Sequence, residues 1–226
     1  MPTRKKAATR PSASSPAGNG ERPPAPGRAG APARQRELRA RGQRTMRKLL
    51  DAGIQVFAKR GYHAARVDDI VKAARTSHGT FYLYFSNKED LFQALVADVA
   101  DELATLRGSL GPVTPDEKGL AELEAWLDRF AALYEHYGPI IRTWTEAEVG
   151  GSDVGRLGTD VVGELASALI EASGGPTDID PAIAAMALVA MVERLNYFVL
   201  SGQVAATRDQ MVATLAGVVH RALFPR

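Results

Sequence analysis

From about Arg36 onward the apolar residues fall at helical spacing, and no window alternates with period two for long enough to make a strand, so the pattern predicts an all-α chain. Met46, Leu49, Leu50, Gly53, Val56 and Phe57 form one inward face, with Thr45 placed to cap this first helix and Gly61 to stop it. A short second helix reads from Val67 to Ala74, with Val67, Ile70, Val71 and Ala74 inward and Asp68 and Asp69 favourable to its positive end. Arg66, just before it, offers no acceptor for a cap. A third helix follows Ser77, a capping residue, and runs to about Phe85. Phe81 and Phe85 share its core face, and His78 and Tyr82 lie on another with Thr80 and Tyr84 on the flanks. Asn87 is placed to cap a fourth helix, Lys88 to about Arg107, striped by Leu91, Leu95, Val99 and Leu103. Beyond the turn-rich stretch from Gly108 to Pro115, helices are expected at roughly 116–137, 139–149, 153–173, 181–201 and 208–223. Gly138-Pro139, Gly150-Gly151, Gly174-Gly175-Pro176 and Ser201-Gly202 separate them.

Charge divides the chain where the pattern does not. Met1 to Lys88 hold 19 Lys and Arg against 5 Asp and Glu, and the remainder holds 9 against 21, although the whole chain is only +2. The basic part suits a polyanion, or serves only for solubility; the acidic part meets something else. Residues 1–36 contain seven of the 13 prolines and eight basic residues against one acid, a composition unable to offset ordering entropy, so a disordered basic tail is expected there. Cysteine is absent, which removes disulfides and thiolate metal sites and fits a cytoplasmic protein. The apolar stretches read as too short and interrupted to span a bilayer, and no secretory signal stands at the start.

Two short helices joined by a tight turn, the second polar outside, in a basic segment, form a helix-turn-helix whose second helix enters the major groove. The landmarks Ala52, Phe57, Gly61-Tyr62, Val67-Asp68-Asp69-Ile70, Ala73-Ala74, Ser77-x-Gly79-Thr80-Phe81-Tyr82, Tyr84-Phe85 and Asn87-Lys88-Glu89-x-Leu91, all in order between Thr45 and Leu91, resemble the DNA-binding domain of the TetR family. The resemblance implies a homodimer that binds a near-palindromic double-stranded DNA operator, a helix-turn-helix domain over 37–90, and an effector-binding and dimerisation domain over 91–226. Repression released by a small, largely apolar effector is the outcome it favours.

The same resemblance assigns DNA contacts. Ser77, His78, Gly79 and Thr80 open the recognition helix, Tyr82 and Tyr84 lie against the sugar-phosphate backbone, and Lys88 sits over a phosphate. Thr45 and Arg66 grip flanking phosphates. Capping for Ser77 and Thr45, core packing for Tyr84 and a plain surface role for Lys88 are the bland alternatives. Two departures stand out: Arg75-Thr76 occupies the turn where the family usually has Gly, and Arg66 replaces the usual Ser or Thr.

In the acidic half the resemblance is one of architecture. The last two helices, rich in Ala and Leu, suit dimerisation, as a buried helix also would. Met191-Val192-Glu193-Arg194 is similar to a stretch in the subgroup of the mycobacterial repressor of ethionamide activation, where this helix lines an apolar channel. That places Val189, Val192, Asn196 and Tyr197 at a pocket. Trp126, Phe130, Tyr134, Tyr137 and Trp144 form an aromatic set, expected on neighbouring helices, that either walls such a pocket or packs as ordinary core. No enzyme motif, metal-spaced cluster or cofactor loop is present, and His63, His78, His136 and His220 are scattered, so no catalysis and no cofactor are expected. The alternative is an architectural DNA-binding dimer without an effector.

Overall fold

The computed structural model describes residues 33–145, 153–174 and 180–224, all in helices and turns with no strand among them. The chain divides between Ala40 and Arg41, and most of the expected basic tail, residues 1–32, lies outside the described residues. Helix α1 runs Ala33–Ala64, so the last four residues of that expected tail, 33–36, are helical. Thr45 therefore does not cap the helix: its hydroxyl donates to the Arg41 carbonyl at 3.0 Å inside it. Gly61, at φ 73° and ψ 162°, ends the regular part as expected, because that extended left-hand conformation is open to glycine alone at low cost.

Helices α2 (Val67–Ala73) and α3 (His78–Tyr82) follow. Between them Arg75 holds φ 49°, the one positive φ outside glycine among the described residues. Its N–H donates to Lys72 O and that of Thr76 to Val71 O, which closes α2 by the paired bonds of a Schellman turn on a residue with a Cβ. Helix α3 stops at Tyr82, short of the expected Phe85, and the chain turns with Phe81 and Phe85 both buried. Helix α4 (Lys88–Gly108) starts at Asn87, whose side chain accepts from Asp90 N at 2.8 Å. Its stripe of Leu91, Leu95, Val99 and Leu103 is buried, and Phe92 packs edge-on to Phe57 of α1. A Cβ on Gly53 would come 2.6 Å from the Leu91 side chain, so the missing methyl sets how closely α1 approaches α4.

Helix α5 spans Glu117–Thr145 without a break and contains Pro139, where the sequence predicted two helices. Proline in a helix interior costs about 3 kcal/mol. Tyr137, Ile140, Ile141 and Trp144 continue one buried stripe across it, and at about 1.5–3 kcal/mol for each large apolar side chain their burial outweighs that cost. All five aromatic residues of the expected pocket thus lie on one helix, a correction to the neighbouring helices expected for them. Helices α6 (Asp153–Ala172), α7 (Pro181–Leu200) and α8 (Arg208–Leu223) complete the chain within a residue or so of expectation. Asp180 and Thr207 cap the last two. The Gly150-Gly151 break lies outside the described residues. Helix α7 is long and apolar enough, by length and composition alone, to cross a membrane, a test that a core helix of a helical bundle also meets.

Candidate functional site

Thr45 lies within α1 and Lys88 opens α4, while the other expected DNA-contact residues lie on or beside α2 and α3. Ser77 is the N-cap of α3: its Oγ accepts from Thr80 N at 3.1 Å and lies 2.9 Å from the Thr80 hydroxyl. Arg66 is exposed at the start of α2, and since its side chain has no acceptor, the carboxylate of Asp69 caps the turn by accepting from Arg66 N at 3.3 Å. His78 Nε2 sits 2.6 Å from Asp68 Oδ1 on α2. A Cβ on Gly79 would meet nothing closer than Ser77 Oγ at 3.7 Å, so the fold itself does not demand glycine there. Tyr82 is 57% exposed, whereas Tyr84 is half-buried, its hydroxyl close to Gly42 of α1.

Lys88 is engaged. Its Nζ donates to the carbonyls of Tyr62 at 2.9 Å and His63 at 3.5 Å and lies 4.5 Å from the centre of the Tyr62 ring, which neutralises backbone oxygens freed by the bend at Gly61. The Tyr62 hydroxyl is held above its ordinary pKa by burial and by the Glu89 carboxylate. Leu83, 81% exposed at the end of α3, was absent from the expected set. The signal was available: Leu83 falls out of phase with Phe81 and Phe85, so the spacing that buries them turns it outward.

In the acidic half the expected pocket residues are packed. Trp126 and Phe130 stack with centroids 6.4 Å apart, and Tyr134 follows at 6.0 Å from Phe130. The Trp126 N–H donates to Leu106 O at 2.9 Å, tying α5 to the end of α4. Tyr134 donates to Glu193 Oε1 of α7 at 2.5 Å, and burial first, then this bond, holds its pKa above the usual phenol range. Val189 and Val192 are buried on α7, with Asn196, 1% exposed, beside them. Asn196 Nδ2 donates to Val192 O at 2.8 Å, but its Oδ1 receives no hydrogen bond. Tyr197 is half-buried beneath the guanidinium of Arg142, 4.7 Å from its ring centre. Trp144 is buried near the end of α5.

Tyr137 points elsewhere. Its hydroxyl accepts from Arg47 of α1 at 3.2 Å, and Arg47 also pairs with Asp51 and with Asp98 of α4, each at 3.2 Å. The bond to Tyr137 is the largest cause of a raised Arg47 pKa. Beside this knot lies an open cleft of about 460 Å³ bounded by α1, α4 and α5. The structure therefore brings Tyr134 together with α7 and sets Tyr137 apart, at the junction with α1. Among the described residues no cluster has the makings of a metal site.

Residues 49–95 match the family model described as bacterial regulatory proteins, tetR family. An uncharacterized HTH-type transcriptional regulator of Bacillus subtilis, YvdT, is 36% identical over 42% of this chain and 47% of its own length. The chain matches about half or less of the length of the first curated relatives. Among solved structures, a TetR-like transcriptional regulator from Rhodococcus sp. RHA1 is similar at a TM-score of 0.60 and 26% identity, over 80% of this chain and 97% of that one. FadR of Bacillus subtilis, a transcriptional regulator solved with stearoyl-CoA, shares the fold at a TM-score of 0.58 and 18% identity, over 79% of this chain and 97% of that one.

Proposed function

This chain belongs to the TetR family of bacterial regulatory proteins, and from that premise we propose that it is a homodimeric transcription regulator that binds a near-palindromic operator and is released by a small, largely apolar effector. The observation that carries the DNA-binding part is the outer side of α3. Tyr82 and Leu83 stand exposed there beside a capped N-terminus and a glycine that the fold does not require. Large apolar groups left in water beside backbone N–H donors suit thymine methyls, sugars and phosphates. Gly79 admits close backbone approach to the duplex. Residues 37–90 would make the contacts, with Arg66 and Lys88 flanking α3.

The second copy would seat on α7 and α8. Ile183 is 70% exposed, and Met186 and Val218 are also left in water, around a small apolar groove of about 250 Å³. Two-fold symmetry in the protein asks for two half-sites in the DNA. Residues 91–226 would hold the effector between α5 and α7. The buried acceptor of Asn196 supports a ligand with one polar handle among apolar walls, because an unmet buried acceptor costs about 1–3 kcal/mol. FadR's ligand, a fatty acyl thioester, gives the chemical class to try first.

An effector acts here by changing how the two heads are placed, and α4 is the link: its start carries Lys88 and its buried stripe runs on to Leu103 and Leu106. Tenfold weakening of the operator needs about 1.4 kcal/mol of differential affinity. The test is a thermal-shift screen of fatty acids and acyl-CoA esters, followed by operator titration with each compound that raises the melting temperature. Stabilisation together with weaker operator binding is expected. The architectural reading draws on the tight filling of the α5 aromatic ladder, and a protein that binds its operator but responds to none of these compounds would favour it.

A further inference from the structure

His78 is the first residue of α3, and its ring is held from α2, ten positions earlier, by the carboxylate of Asp68 at 2.6 Å. Neither helix needs this contact. The structural tasks in the first turn of α2 fall to the neighbouring Asp69, which accepts from Arg66 N and pairs with Arg60 at 3.0 Å. Among the described residues, the Asp68 carboxylate meets only His78. Both side chains are exposed, 74% for Asp68 and 54% for His78, and an exposed pair contributes little to folding. A carboxylate on a face that meets phosphates also opposes binding by like-charge repulsion. Its presence calls for a role other than stability or general affinity.

We propose that Asp68 is a positioning residue for base reading, acting through His78; this rests on the DNA-binding reading above. A carboxylate accepts and never donates, so it keeps the proton of a neutral imidazole on Nε2 and leaves Nδ1 as an acceptor. In the major groove the donors are the amino groups of adenine and cytosine, whereas guanine offers only acceptors there. The held ring therefore favours an adenine or cytosine at the position His78 faces. Docking expels water from the pair, and the hydrogen bond that Nε2–H donates to the carboxylate is stronger in that lower dielectric. Without Asp68 the ring exchanges tautomers and rotamers, and the preference goes.

The experiment selects operator variants from a randomised DNA pool with the full-length wild type, Asp68→Ala, Asp68→Asn, His78→Ala and the double Asp68→Ala/His78→Ala variant. Matched melting temperatures confirm folding. The wild type is expected to prefer adenine or cytosine at one position in each half-site. Asp68→Ala and His78→Ala each lose about tenfold discrimination at that same position, and the double variant loses no more. Asp68→Asn, which keeps an acceptor oxygen, retains most of it. Tighter binding of Asp68→Ala to every sequence with unchanged preference would reduce Asp68 to a repulsive charge and overturn the proposal, as would a wild-type preference for guanine at the position that His78→Ala affects. Failure of the wild type to select any DNA would instead overturn the DNA-binding reading itself.

Discussion

The α2–α3 head and the α5–α7 interior present their chemistry in opposite ways. In the head, His78, Tyr82 and Leu83 stand in water and the apolar pair beneath them, Phe81 and Phe85, is buried. In the interior, Trp126, Phe130, Tyr134, Val192 and Asn196 are all buried, so a pocket wall and a core look alike. Function leaves a mark on a surface because burial would otherwise have hidden those groups; inside, the mark is confined to polar atoms whose bonds do not close. Asn196 Oδ1 is such an unmet atom, whereas the Trp126 N–H, spent on Leu106 O, is not.

The largest expected effect tests whether the interior is core. Trp126→Ala should destabilise the fold by about 3–5 kcal/mol in urea unfolding, since it removes a fully buried ring that also anchors α4. A loss under about 1 kcal/mol would place the ring against a space that ligand or solvent fills, and the contrast with the head would weaken. On the head, Tyr82→Ala should weaken operator binding by about 1–3 kcal/mol with stability held within about 0.5 kcal/mol. A drop in melting temperature without loss of DNA binding would turn Tyr82 into a structural residue.

Asn196→Leu sharpens the comparison from inside. Removing an unmet buried acceptor should stabilise the free protein by roughly 1 kcal/mol while abolishing the response to an effector, opposite signs that ordinary core packing does not produce. The smallest effect belongs to Lys88→Ala. Loss of its bonds to Tyr62 O and His63 O should cost about 0.5–1.5 kcal/mol of stability, and the salt dependence of DNA binding should fall by about one unit if the ammonium also reaches a phosphate. An unchanged salt slope would leave Lys88 a cap for α1 and nothing more.

Much of the head was legible in the chain. Ser77 and Asn87 cap where their side chains and spacing said they should, and Arg75 takes the left-handed turn that the missing glycine implied. Misreadings arose where long-range packing overrides a local signal. Thr45 looks like a cap until a helix begun at Ala33 passes through it, and Pro139 looks like a stop until the buried stripe on either side holds α5 together. The bonds of Arg47 to Tyr137 and of Lys88 to the end of α1 join residues far apart in sequence, with no periodic trace to find them by.

The most direct test of the account is selection of DNA fragments from the organism's own genome by the purified protein, with footprinting and sizing of the complex. The account predicts a protected, near-palindromic site with half-sites about one helical turn apart, or a multiple of it, bound by an even number of chains, and loss of that protection in Tyr82→Ala. A monomer on an asymmetric site, or protection that survives Tyr82→Ala unchanged, would contradict it.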